Sequence, residues 1–253
     1  MPMLDNGRRS LIEKRLGMSA EELAQKIRDI RVKVLQDRNS LSAAHPSWHR
    51  EQDVRLDSLN TLWNLLASTE IGLSLLWELA YDDWWQSKAI DPQKLTSYDK
   101  ASQTLGSERF LKHGFSMGLF ILAERTLRIF LRAIDPAACN GATAEFKSVY
   151  SALLGSHGLD LPKQERGKAL EFLDFMRTIR NLIHNDGIYF DTRGQDRELS
   201  FNGRTYRFAH AKPVNFVTSD LLLTFTQHIY ELLVRIISHP KIEAMSQILD
   251  PFG

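Results

Sequence analysis

The chain has little cysteine, little net charge and no long apolar run, and each shortage removes a class of protein. Cys139 is the single cysteine in 253 residues, so no internal disulfide can form and no cysteine-based metal site is available. Such a chain belongs naturally in a reducing compartment. Lys and Arg number 32 against 31 Asp and Glu, a formal net charge of +1. That balance argues against a protein held to nucleic acid by bulk charge and leaves local basic patches to make any such contact. The opening MPMLDNGRRS lacks the apolar core of a signal peptide. The greasiest stretch, MGLFILAERTLRIFL, is cut by Glu124, Arg125 and Arg128, well short of a membrane span. The expectation is a soluble, cytoplasmic protein with no membrane partner. The sequence also has no P-loop, no Gly-rich dinucleotide fingerprint, no Gly-x-Ser-x-Gly elbow, no internal repeat and no low-complexity segment. His45 and His49 lie four apart, but Pro46 separates them and no third ligand is near, so no metal and no cofactor are expected.

What is present is 43% hydrophobic residues, enough for a real core, in helical periodicity. Ser19-Ala20-Glu21-Glu22 reads as a capping box opening a helix to about Asn39, with Leu23, Ile27, Ile30 and Val34 as one apolar stripe. That stripe suits either docking on the chain's own core or packing on a second subunit. A long helical pattern follows from about Trp48 to Trp85, with Gly72 a candidate break and DDWW (82–85) at its end. The polar stretch 89–106 has room for one short helix. A strong helix spans about Glu108 to Ile134, apolar nearly all round over 117–123, with Arg125, Arg128 and Arg132 on one stripe. A weaker helix covers roughly 144–154, and another begins after Pro162 and ends at Asn185. Beyond it Ile188 to Phe190 reads as a short strand. RELSF-NG-RTYRF (197–208) reads as a hairpin, since Asn202-Gly203 suits a type I′ turn, with Leu199 facing Tyr206. Thr218 caps a last long helix to about Ser238, and a short one is expected within 242–249. The fold class is therefore mainly all-α, a bundle of about six to eight helices with one small hairpin. Residues 1–45 form an N-terminal helical arm and 46–253 the bundle domain.

The helix that ends in RTIRNLIHNDG (177–187) carries the candidate chemistry. At about 100° per residue, with Arg177 at the origin, Asn181 lies near 40°, His184 near −20°, Arg180 near −60° and Asp174 near 60°. Phe172, Phe175, Ile179, Leu182 and Ile183 fall on the opposite side. One arc is thus apolar and buried; the other gathers two guanidiniums, an amide, an imidazole and a carboxylate. Asn185-Asp186-Gly187 reads as the helix stop, with Gly187 suited to the left-handed position. A histidine at that end sits near the negative pole of the helix dipole, while the arginines oppose its protonation.

This arrangement resembles the HEPN family, the higher eukaryotes and prokaryotes nucleotide-binding domains. These are small helical bundles with an arginine, a short variable gap and a histidine near the end of a late helix. The RNLIHNDG string looks like a recurring variant of their motif. Six residues separate Arg177 from His184, inside the family range, but the polar residue that usually follows the arginine is Thr178 here. Arg180 has that polar follower in Asn181, yet only three residues separate it from His184. Either arginine can be the motif arginine. The resemblance covers roughly 107–238. It implies a metal-independent endoribonuclease, a toxin or defence effector acting on RNA as a homodimer in which two motifs face each other, with a cognate antitoxin or regulator. RNA carries its own nucleophile, the 2′-hydroxyl. His184 would move the proton, Arg180 or Arg177 would hold the phosphate, and Asn181 would orient either. The tyrosine that some such toxins carry two residues after the histidine is replaced by Asp186. The alternative implied by the same resemblance is a non-catalytic helical interaction or scaffold protein.

Overall fold

The computed structural model describes residues 5–49, 52–89, 91, 94–138, 145–156, 158–185 and 187–251, apart from the side chains of Ala20, Ile183 and His184. Cys139 and Asp186 lie outside those residues. The elements run α1 (Asn6–Leu16), α2 (Ala20–Ala44), α3 (Val54–Glu78), α4 (Asp82–Lys88), α5 (Ser97–Ile134), α6 (Phe146–Leu154) and α7 (Lys163–His184). Then follow β1 (Ile188–Tyr189), β2 (Arg197–Phe201), β3 (Arg204–Phe208), β4 (Lys212–Pro213), α8 (Ser219–Ile237) and α9 (Pro240–Glu243). The fold is mainly all-α, as expected, with two small antiparallel sheets among the described residues.

Helix α2 starts at Ser19, whose hydroxyl accepts the Glu22 amide at 3.0 Å, and packs along α3. Its stripe of Leu23, Ile27, Ile30 and Val34 is buried in the chain's own core. Helix α3 begins later than its pattern suggests because Asp53 caps it, and it runs through Gly72 without a break. A Cβ at Gly72 would come within 2.5 Å of a Leu111 methyl, so the glycine marks where α3 and α5 approach closely. The chain turns at 79–81 instead, and Trp85 is buried there with its indole N–H donating to the Leu79 carbonyl at 2.9 Å. Trp84 stands edge-on to it.

Helix α5 is 38 residues, about 57 Å of rise. It starts at Thr96 rather than near Glu108, because Thr96 and Asp99 cap each other in a full capping box and carry the helix across the polar stretch. Arg125 pairs with Asp57 and Asp250, and Arg128 with Glu124, so these two members of its arginine stripe are ion-paired.

The hairpin forms in the expected register, Leu199 opposite Tyr206, with Asn202 and Gly203 at φ of 50° and 70°. Strand β1 is two residues long and pairs with β4, which the sequence pattern did not reveal. The expected 242–249 helix is α9, earlier and shorter; Leu249 instead bridges to Asp53. That C-terminal segment is anchored by Arg55, itself fully buried. Its guanidinium chelates Asp53 at 2.8 and 2.6 Å, donates to the carbonyls of Ile242 and Met245, and lies 3.6 Å from the Trp48 ring centre.

Candidate functional site at the end of helix α7

Helix α7 is fixed by its apolar face. Phe172, Leu173, Phe175, Met176, Ile179 and Leu182 are all buried. Phe175 is the centre of an aromatic group that includes Phe201, Tyr206, Phe208, Phe216 and Phe225, with ring centres 4.6 to 6.4 Å away. Each such ring pair adds about 0.5–1.5 kcal/mol beyond burial, so the hairpin holds α7 from behind. The helix stops where Gly187 takes φ 81° and its amide donates to the Leu182 carbonyl at 2.9 Å. Strand β4 then closes on the turn, the Val214 amide donating to the Gly187 carbonyl.

The polar arc faces the other way, toward α5 and α6. Asp174 accepts the Tyr150 hydroxyl at 2.5 Å. Burial and that carboxylate push the Tyr150 phenol up, so it stays a donor at neutral pH. Arg177 lies 3.3 Å from Glu145 and 3.5 Å from Asp174, with its side chain mostly covered. Its charge is thus opposed by two carboxylates. Arg180 is placed differently. Its guanidinium lies 4.9 Å from the centre of the Phe120 ring, and Nη1 donates to the Asn181 side-chain oxygen at 3.3 Å. Among the described residues no carboxylate pairs with Arg180. Asn181 is exposed, and its main-chain carbonyl accepts from Asn185 at 3.2 Å. His184 is the last residue of α7; its side chain lies outside the described residues.

The structure therefore brings Arg177, Arg180 and Asn181 to one side of α7, on the arc opposite the hairpin. Among the described residues their side-chain partners come from α5, the start of α6 and α7 itself. Sequence reading missed three members of the surroundings. Asp174 was visible at i−3 from Arg177, but Tyr150, Glu145 and the Phe120 platform come from other helices, and no local spacing announces them. Of the arginines on the hairpin, Arg204 is exposed, Arg207 pairs with Asp196 at 2.8 Å, and Arg197 reaches across to Thr178 of α7 at 3.5 Å. His45 stacks on Trp48 at 3.9 Å and meets Glu243 at 3.2 Å. Among the described residues no group of three or more His, Cys, Asp or Glu side chains is arranged to hold a metal, and no helix is long and apolar enough to cross a membrane. Comparison with known proteins gives no match: no family model, no curated protein and no solved structure aligns with this chain.

Proposed function

We propose that this chain is a HEPN-like, metal-independent endoribonuclease that works in the cytoplasm as a homodimer, under the control of a cognate antitoxin or regulator. The observation that carries the reading is Arg180. It is a half-buried guanidinium on an aromatic platform, one turn before His184, with no described carboxylate opposing it. Such a cation is preorganised for an anion, and the two non-bridging oxygens of a phosphodiester suit its fork. Asn181 beside it supplies a neutral donor. An imidazole at position 184 is the side chain whose ordinary titration lies near neutral pH.

The step is an internal transfer. The 2′-hydroxyl loses its proton to one imidazole, its oxygen attacks the adjacent phosphorus, and the bond to the 5′-oxygen breaks. That oxygen leaves with a proton from the second copy's imidazole. The products are a 2′,3′-cyclic phosphate and a 5′-hydroxyl, with no external nucleophile or oxidant. Arg180 stabilises charge that grows on the non-bridging oxygens. Two motifs across a symmetry axis double the local positive field in a protein of almost zero net charge.

The test is incubation of total RNA in EDTA with the wild type, His184→Ala and Arg180→Ala. Cleavage by the wild type alone, leaving 2′,3′-cyclic phosphate ends, is the expected result. Intact RNA in all three, with normally folded protein, would assign the chain instead to the non-catalytic scaffold class.

A further inference from the structure

Next to the end of α7 the surface holds an open cleft of about 680 Å³ whose described lining carries four cations and no carboxylate. Lys14 and Arg15 come from the last turn of α1. Arg109, Lys112 and His113 come from one face of α5, at i, i+3 and i+4. Ile179, Leu182 and Gly187 of the α7 segment form another wall, Gly187 only three residues beyond His184, and the segment from Pro213 to Thr218 completes the cleft.

The cations are gathered there by a buried carboxylate. Glu108, its side chain 2% exposed, holds Lys112 at 2.6 Å and Arg15 at 3.5 Å, and Lys112 also donates to the Arg15 carbonyl at 2.7 Å. This clamp fastens the end of α1 to α5 and partly neutralises those two residues. Lys14, Arg109 and His113 remain exposed, with no ion pair or side-chain hydrogen bond among the described residues. In a chain of formal charge +1 such a patch is a local feature, not background. Uncompensated like charges repel, and an anion in the cleft removes that repulsion.

The cleft meets α7 at Ile179 and Leu182, on the apolar side of that helix, and it is α5 that links it to the motif. Arg109, His113 and Phe120 fall at i, i+4 and i+11, one stripe of α5, and Phe120 carries the Arg180 guanidinium. The seven residues from His113 to Phe120 correspond to about 10 Å of helix. We infer that this cleft binds the phosphate backbone of single-stranded RNA next to the cleavage point, with Lys14 and Arg109 as its principal phosphate contacts. The strand's destination rests on the ribonuclease reading; the binding does not.

A fluorescein-labelled, 2′-O-methyl oligoribonucleotide cannot be cleaved by 2′-hydroxyl attack, so its anisotropy reports binding alone. The wild-type protein is expected to bind it with an affinity that falls steeply as salt rises. Lys14→Glu/Arg109→Glu is expected to bind at least tenfold more weakly at 0.15 M salt, with unchanged circular dichroism. Its log–log salt slope should be shallower by about 1.4, since each single-strand phosphate contact contributes about 0.7. Equal affinity of the two proteins overturns the inference. So does binding of polyglutamate, but not of the oligonucleotide, which would mark an acidic protein as the partner. The two readings fail separately. Salt-dependent binding that the double variant loses, with no cleavage of total RNA, sinks the nuclease and keeps the cleft. Cleavage with the same KM in wild type and double variant does the reverse.

Discussion

Arg177 and Arg180 sit three residues apart on one arc, and their surroundings predict opposite phenotypes. Consider Arg180→Ala first. In the folded protein the side chain makes one cation–π contact with Phe120 and one long hydrogen bond to Asn181. The first contributes about 0.5–1 kcal/mol at a partly exposed site, and the second no more than about 1 kcal/mol. A loss of about 1–2 kcal/mol in a chain of this size lowers Tm by roughly 2–8 °C. Loss of a donor aimed at transition-state charge lowers the rate by about 10²–10³-fold, or roughly 2.7–4 kcal/mol. On the ribonuclease reading, the variant is therefore expected to be folded at 25 °C and nearly inactive.

Arg177→Ala should behave otherwise. Arg177 is already opposed by Glu145 and Asp174, and Asp174 keeps its Tyr150 hydrogen bond after the substitution. A phosphate approaching Arg177 would have to displace carboxylates, so its share of transition-state stabilisation is small. Cleavage by Arg177→Ala is expected within about tenfold of wild type, since one tenfold step is only about 1.4 kcal/mol. Initial rates on a labelled oligoribonucleotide in EDTA, together with thermal melts, separate the cases. Arg180→Lys is the control: it keeps the charge but loses the planar fork, and is expected to fall between Arg180→Ala and wild type. Full activity in Arg180→Ala with silence in Arg177→Ala would refute the reasoning, and would make Arg177, at its longer spacing from His184, the working arginine.

Three further outcomes follow from other parts of the fold. Arg55→Met strands the buried Asp53 carboxylate, which costs about 3–5 kcal/mol and lowers Tm by roughly 6–20 °C; adding Asp53→Asn removes the stranded charge while keeping an oxygen to cap α3, and should raise Tm again. A second thermal drop on adding Asp53→Asn would contradict that account. His228 is half-buried between Phe172 and Phe201, and burial lowers its pKa despite Glu231 and Glu171 nearby. Between its folded value and about 6.5 the unfolded chain binds the extra proton, so stability rises with pH there and is lost as pH falls below about 6.5. Urea midpoints from pH 8 to 5 should decline less in His228→Asn than in wild type. Glu108→Gln removes the carboxylate that clamps Lys112 and Arg15, so oligonucleotide binding should tighten severalfold while Tm falls; a simultaneous loss of affinity would show that the clamp's geometry, not its charge, governs the cleft.

What the sequence made legible was decided by how local the cause is. The β2–β3 register depends on two adjacent residues, Asn202 and Gly203, whose positive φ angles are written in their own chemistry, so it was readable to the residue. The polar arc of α7 depends only on helical rotation, and Arg177, Arg180 and Asn181 share a side as that rotation requires. The start of α5 was lost because residues 97–107 offer no apolar stripe. Its true signal was the capping pair Thr96 and Asp99, which outweighed both polarity and the glycine at 106. Gly72 was misleading for a related reason. A glycine reads as a break by propensity, but here it admits Leu111 from a helix 39 positions away, and packing overrides the weak local preference. Strand β4 is two residues whose partner lies 24 positions upstream, so nothing local marks it.

The candidate site follows the same rule with a functional consequence. Which residues share the arc was local and legible; which of its two arginines carries uncompensated charge was not. Glu145 arrives from the start of α6, Tyr150 from within it, and Phe120 from the middle of α5, so the contrast between Arg177 and Arg180 is a product of tertiary packing. Motif spacing alone favours Arg177, since its gap to His184 is the longer one. Electrostatic environment favours Arg180. Where the two criteria disagree, the environment is the better guide, because a guanidinium acts on a phosphate only with charge that its neighbours have not already taken up.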